Sequence, residues 1–382
     1  VNDLLLEQVR ARLVRGGTPP TESAVARAVR DTGVVLGPDA LLDLARRLRD
    51  EIVGTGALEP LLADPSVSDV VVNGPEAVFV DRGEGLEPCR AVRFADPDDL
   101  RRLAVRLAAA AGRRLDDAVP WVDAVLPDGT RLHAVLPPVA PEGPLLSLRV
   151  LGRRRISMDD LVGLGTVPAS LLPTLRQVMS RRLSLLVSGG TGVGKTTVLS
   201  ALLSMVEPHE RLVLVEDTPE LRPDHPHVVR LVSRAANVEG AGFVGLDDLV
   251  RQSLRMRPDR IVVGEVRGAE VTDLLAALNT GHDGGCGTVH ANTGSDIPAR
   301  LEALGLAAGL TRDALHSQVA AGVSVVVHLV RQDGRRRLSE VSVVVRAGAV
   351  VEVVPAVVVT ADGAVSPGPG HARLASLLAG RA

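Results

Sequence analysis

The sequence predicts an α/β protein in two parts, a smaller α+β domain followed by a larger domain built on a mainly parallel sheet. Three observations lead there. Apolar runs at Leu183–Ser188, Leu212–Val215 and Ile261–Val263 alternate with stretches of helical periodicity, as strands do when crossover helices join them. Each run is followed by glycine or acidic residues, which puts polar chemistry at the carboxyl ends of the strands. Further upstream, two valine-rich runs flank a short loop containing glycine, a hairpin signal unlike the pattern that follows. At 382 residues the chain is also too long for one small core.

Taken in order, residues 1–56 form a short helical region, because Leu41, Leu44, Leu48 and Ile52 share a helix face and Gly54 offers a stop. The α+β domain spans 57–151. Its hairpin pairs Val70–Val72 with Val78–Val80 around Asn73–Ala77. Asp96 then caps a helix with Pro97 in its first turn and Leu100, Leu103, Leu107 and Ala111 on its inner face, ending at Gly112. Short strands follow, with Asp128-Gly129 as a turn and Ser147–Leu151 as the last strand. Residues 152–157 read as a linker in which Arg153, Arg154 and Arg155 are solvated. The larger domain, 158–340, opens with a helix from Pro168 to Arg182, then the strand to Ser188, a glycine-rich turn and a helix from Lys195 to Met205. A valine-rich tail, 341–382, adds a few peripheral strands.

Composition narrows the function classes. Hydrophobic residues make up 46% and charged ones 23%, the balance of a soluble globular protein, while aromatics at 1% leave the core to Val, Leu, Ala and Ile. A net charge of −3 argues against a chain that coats nucleic acid or anionic lipid through bulk positive charge. Cys89 and Cys286 form no CxxC pair, so a reducing cytoplasm is expected. Arg346, Glu352 and Pro355 break the apolar run Val344–Thr360, and no stretch reaches the roughly 18 residues of a membrane span. Asp3, Glu7, Arg10 and Arg12 deny the first turns the apolar core of a signal peptide.

The segment Gly189-Gly190-Thr191-Gly192-Val193-Gly194-Lys195-Thr196 fits GxxxxGK[ST] at every fixed position, between a strand and a helix. Such a turn aims backbone N–H groups at the phosphates of ATP, and the following helix, from Lys195 through Thr196 and Thr197, adds its positive end. Lys195 bridges the phosphates; among 43 lysines and arginines it is the only lysine. Its compact ammonium fits among phosphate oxygens where a planar guanidinium would not. Thr196 offers a hydroxyl to Mg2+. The strand Ile261-Val262-Val263 leads through Gly264 to Glu265, a Walker B form with glutamate as the acid, and Glu265 acts on the metal. In Glu216-Asp217-Thr218-Pro219-Glu220, Glu220 polarises the attacking water with Glu216 and Asp217 in support.

His282, Cys286 and His290 recur every fourth residue, which would line up metal ligands on a helix, but four glycines between Gly281 and His290 make a helix improbable and no further cysteine completes a zinc site. A histidine that senses the γ-phosphate fits better, through His290 at a catalytic carboxylate or His282 at the nucleotide. Arg131, Arg149, Arg255 and Arg267 are candidates to stabilise the transition state across a subunit boundary.

With the loop, EDTPE, VVGEVRG and GHDGGCGTVHANT together, the chain resembles the type II/type IV secretion ATPase superfamily. LRMRPDRIVVGEVRG and ALNTGHDGGCGTVHANT look most like its TadA/CpaF branch, which powers tight-adherence (Flp) pilus assembly, and NGPEAVFVDRGEGLEP, DGTRLHAVLPP and SLRVL extend the likeness over roughly Leu58 to Glu340. The resemblance implies a RecA-like P-loop ATPase domain, with Glu216–Glu220 as Asp box, Gly264-Glu265 as Walker B and His282–His290 as His box. It further implies a homohexamer with nucleotide between the two domains, and arginines such as Arg131 and Arg149 reaching the phosphates. The expected partners are a polytopic inner-membrane platform protein and, indirectly, pilin-like cargo, at the cytoplasmic face of the inner membrane. The expected function is an ATP-driven assembly or secretion motor; a DNA-handling, conjugation-type ATPase and a nucleotide-gated scaffold are the alternatives.

Overall fold

Short strands with one buried and one open face build the first part of the molecule. In the computed structural model the described residues are 5, 8–9, 12–13, 22–34, 36–37, 40–45, 54–83, 85–150, 155–234, 236, 240–332 and 334–380. They fall into two units, Val1–Arg154 and Arg155–Ala382. In the first, strands β1 (Asp69–Val72), β2 (Val78–Asp81), β3 (Leu86–Pro88), β4 (Trp121–Val125), β5 (Arg131–Val135) and β6 (Leu145–Arg149) form an antiparallel sheet of order β3-β2-β1-β6-β5-β4. The hairpin closes with Val72 opposite Val78. Val70, Val72, Val78 and Val80 point to the buried face, where each side chain contributes about 1.5–3 kcal/mol. Helix Pro97–Ala110 packs there through Leu100, Leu103 and Leu107, and its first turn is held by Asp96 Oδ1, which accepts from the Asp99 amide at 2.7 Å.

Helix Glu22–Arg30 buries Ala24, Val25, Ala28 and Val29 in a small separate core with Leu44. Leu48 and Ile52 lie outside the described residues, as do Asp3, Glu7, Arg10 and the linker residues Gly152, Arg153 and Arg154. Arg155, expected to be solvated, is exposed but pairs with Asp224 at 2.5 Å.

The second unit is a nine-stranded sheet of β7 (Leu185–Gly189), β8 (Leu212–Glu216), β9 (Val228–Val232), β10 (Arg260–Val266), β11 (Cys286–His290), β12 (Val325–Gln332), β13 (Arg335–Ala347), β14 (Val350–Val359) and β15 (Val365–Pro367). Its order is β15-β14-β13-β12-β7-β11-β10-β8-β9. The six strands from β12 to β9 run parallel, and β13, β14 and β15 extend them antiparallel. Every residue of β7 and β8 is buried, because helices cover both faces. Leu175, Leu199 and Leu374 close one face, while Leu249, Leu274, Leu301 and Leu315 close the other.

A boundary at residue 340 does not occur. Strand β13 runs through it, its register with β12 continues from Arg335 to Val343, and Val341 and Val343 are buried in the same core as β7. The valine-rich tail is therefore part of the larger sheet, because long in-register pairing continues its core without a break. Parallel order also sets the site, since β7, β8, β10 and β11 all deliver their carboxyl ends to one edge.

Candidate nucleotide site

The loop after β7 depends on glycine where the backbone comes closest to its neighbours. A Cβ on Gly189 would lie 2.4 Å from the Leu329 carbonyl oxygen of β12, and Gly189 has φ of +146°. Gly192 and Gly194 take φ of +72° and +93°, turning the chain into helix Lys195–Leu203. Val193 is buried and anchors the turn, Thr191 and Gly192 are exposed, and Thr196 and Thr197 are half-buried in the first helical turn. That helix has no side-chain cap, so its first amides are left for an anion.

Lys195 is buried with an exposure of 8%, and its ammonium donates to the carbonyls of Gly189 at 3.0 Å and Gly190 at 2.8 Å. It also lies 3.3 Å from His290 Nδ1, while His290 Nε2 lies 3.2 Å from Glu265 Oε1. An ammonium can only donate, so Nδ1 accepts and the ring proton sits on Nε2, pointing at the carboxylate. Burial lowers the His290 pKa from 6.5 and the Lys195 charge adds to this, against the pull of Glu265; the imidazole is neutral near pH 7. Burial likewise lowers the Lys195 pKa, with Glu265 and Glu220 acting in the other direction. Both expected catalytic carboxylates therefore act on the lysine of the loop.

Glu216 closes β8 and is almost wholly buried. Its Oε1 accepts from the Glu220 amide at 2.9 Å and the Leu221 amide at 2.7 Å, and its Oε2 meets Arg230 Nε of β9 at 3.1 Å. Burial nevertheless pushes its pKa up to about 7, against the amides and Arg230. This carboxylate folds the turn that presents Glu220. Asp217 accepts from Ser233 Oγ at 2.7 Å and pairs with the Arg267 guanidinium, which ties that arginine candidate to the Asp box. Strand β10 passes close by at Gly264, whose carbonyl accepts from Thr288 Oγ1 of β11 at 2.6 Å. Glu265 follows, with 42% of its side chain exposed.

Other expected residues are not brought to this edge. His282 precedes β11, so it lies at the amino edge of the sheet, a strand length away from the loop, and its Nδ1 is buried without a hydrogen-bond partner. Its assignment to the nucleotide within one subunit is corrected on that ground. Cys286–His290 is a strand with Cys286 at its start and His290 at its end, and His282 lies before it, so the three are not gathered on a helix face; Cys286 is buried with its thiol on the Gly284 carbonyl. Arg255 precedes β10, also at the amino edge, and bonds back to the Arg251 carbonyl. Arg131 and Arg149 belong to the first unit, where they stand opposite one another on β5 and β6 and Arg149 Nε donates to Asp69 at 3.0 Å.

Sequence reasoning missed a second histidine. His328 of β12 holds Ser188 Oγ at 2.8 Å through Nδ1 and the Asn292 carbonyl at 3.2 Å through Nε2, joining the residue before the loop to the segment after His290. A lone polar residue inside the run Val325-Val326-Val327-His328-Leu329-Val330 was the available signal. Arg230, set within an apolar strand in the same way, was the signal for the partner of Glu216.

A family model described as type II/IV secretion system protein matches residues 51–355. The chain belongs to that family. It is an ATPase. Among relatives of this secretion ATPase, a "Putative conjugal transfer protein" of Mycobacterium tuberculosis is 54% identical over 327 residues, covering 84% of this chain and 93% of the relative. The conjugal transfer protein TrbB of Rhizobium radiobacter is 31% identical over 303 residues, covering 78% and 89%. The pilus retraction motor PilT shares the fold at a TM-score of 0.54 and 19% identity, covering 76% of this chain and 83% of that one. The ATPase DotB of Legionella pneumophila does so at 0.53 and 18%, covering 75% and 79%.

Proposed function

We propose that the protein is the hexameric ATP-hydrolysing motor of a secretion apparatus of the conjugal-transfer type, working at the cytoplasmic face of the inner membrane against a polytopic membrane protein. The chain Lys195–His290–Glu265 at the phosphate loop carries the reading. Backbone amides of Gly190 to Thr196 cradle the phosphates, and Lys195 exchanges its two carbonyl acceptors for phosphate oxygens. Glu220, presented by Glu216, orients the attacking water. His290 passes the state of Lys195 to Glu265. Thr196 and Glu265 supply the oxygen ligands that suit Mg2+, which when bound neutralises phosphate charge. Arg131 and Arg149 are offered as transition-state cations in the assembled ring. No helix among the described residues is long and apolar enough to cross a membrane, which fits a peripheral attachment.

The relatives' names favour conjugal transfer over the tight-adherence pilus expected from the sequence. The pilus motor is kept as a second reading because LRMRPDRIVVGEVRG and ALNTGHDGGCGTVHANT carry that likeness. Phosphate release is the test of catalysis. Lys195→Ala and Glu265→Gln together should abolish turnover, and turnover that survives both substitutions sinks the assignment. DNA should stimulate the ATPase in a salt-dependent manner if the motor handles DNA directly, and should have no effect on a pilus motor.

A further inference from the structure

Strand β7, which leads into the phosphate loop, lies between β12 and β11, and one side chain of β12 reaches across it. His328 stands beside Ser188, while Gly189 pairs with Leu329 on that side and with His290 on the other. The imidazole is buried. Its Nδ1 meets Ser188 Oγ at 2.8 Å, one residue before the loop, and its Nε2 meets the Asn292 carbonyl at 3.2 Å, two residues beyond His290. A carbonyl can only accept, so Nε2 carries the proton and Ser188 donates to Nδ1. Burial lowers the His328 pKa from 6.5, against the pull of Glu340, which keeps the ring in this neutral form near pH 7.

The segment after His290 is held from a second side. Ala291 is buried, and the Thr293 amide donates to Asp296 Oδ2 at 3.0 Å to close a tight turn. Glu340 of β13, opposite His328 in the register, lies against Gly294, where a Cβ would run into its Oε1; that oxygen accepts from Ser342 Oγ at 3.0 Å. His328 and Glu340 therefore fix the path of the chain as it leaves His290. The same β12–β13 pair flanks the far end of the loop, where Arg336 Cδ comes within 3.6 Å of where a Cβ on Gly194 would lie. Both sides of the 3.3 Å contact between Lys195 and His290 thus depend on one ring, the loop through Ser188 and the histidine through Asn292.

We propose that His328 is a positioning residue whose two nitrogens do separate work, Nδ1 setting the phosphate loop for nucleotide binding and Nε2 setting His290 for turnover. The inference rests on the reading of Lys195, His290 and Glu265 as the hydrolytic chain. Asparagine places an oxygen near Nδ1 and glutamine places an amide near Nε2, so each substitution keeps one arm. Steady-state phosphate release and calorimetric ATP binding should be measured on the full chain. His328→Asn should lower kcat about tenfold, a fraction of the loss that follows a misplacement of about 1 Å, and leave ATP affinity within about twofold. His328→Gln and Ser188→Ala should weaken ATP about three- to tenfold, the range of one hydrogen bond, with kcat within about twofold. Ser188→Ala removes a single oxygen and leaves the ring in place, so it reads the Nδ1 arm even where a ring substitution costs fold. Equal losses in the Asn and Gln variants, a split in the opposite sense, or unchanged ATP affinity in Ser188→Ala overturns the positioning role. A wild-type chain that binds ATP but releases no phosphate refutes the parent reading as well.

Discussion

Replacing Gly264 by alanine should damage turnover through Glu216, which holds the Glu220 turn. Gly264 does not have a positive φ, so alanine suits its backbone and the cost lies in contact alone. The added Cβ would stand 2.9 Å from Glu216 Cγ and 3.5 Å from Glu216 Oε1. Ordinary contact needs about half an ångström more, and Glu216 cannot swing away because its carboxylate is tied to two amides and Arg230. Overpacking of this kind costs about 1–3 kcal/mol of stability. The greater effect is on catalysis. The shift passes through the 2.9 Å bond to the Glu220 amide, and misplacement of a catalytic group by about 1 Å costs on the order of 100-fold, so kcat should fall about tenfold or more at this smaller displacement. Steady-state phosphate release and thermal melting should be measured for Gly264→Ala, Glu216→Ala and the double variant. Glu216→Ala removes the Cγ that is struck, so Gly264→Ala should add almost nothing in that background. Additive losses in kcat and Tm would refute the reasoning.

Two further outcomes concern protons. Protonating His290 removes the Nδ1 lone pair that receives Lys195, so kcat should fall on an acid limb below pH 6.5, and His290→Asn should flatten that limb; a variant that keeps it places the titration elsewhere. Glu216 has its pKa raised from 4.5 to about 7, so its stabilising contribution is complete below pH 4.5 and is lost as pH rises to about 7, a change of up to about 3 kcal/mol. Glu216→Gln should remove that slope from the stability curve measured by denaturant titration, and parallel curves for the two proteins would contradict it.

Much of this was legible because the chemistry is local. Eight consecutive residues carry the phosphate loop, and the valine-rich runs Val70–Val72 and Val78–Val80 around the short loop Asn73–Ala77 announce a hairpin that forms with the expected pairing. What escaped depends on long-range register. Whether His282 or His290 reaches the loop is decided by where β11 lies, since His290 ends the strand while His282 stands four residues before it begins, and the spacing of His282, Cys286 and His290 reads alike for a helix face and for an extended segment. The tail looked peripheral because nothing in its valines says which sheet they join; pairing with β12 settles that. Arg336 was hidden by abundance, as one of many arginines with no local cue to its place beside Gly194.

The polar contacts at the carboxyl edge make six strands behave as one device. Thr288 ties β11 to β10 at the carbonyl of Gly264, and Glu216 ties β8 to β9 while holding the Glu220 turn. His328 ties β12 to β7 and to the segment after His290. Within that frame Lys195 has partners it can exchange, since its two carbonyl acceptors are weaker ligands than phosphate oxygens. A phosphate that draws the ammonium away leaves His290 Nδ1 without its donor, and the imidazole is then held only through Glu265. A neutral histidine suits this position because it can accept on one side and donate on the other. Arginine or lysine there would repel Lys195, and a carboxylate would repel Glu265. On the proposed mechanism, phosphate occupancy at β7 would change the hydrogen bonding at β10 and β11 through His290.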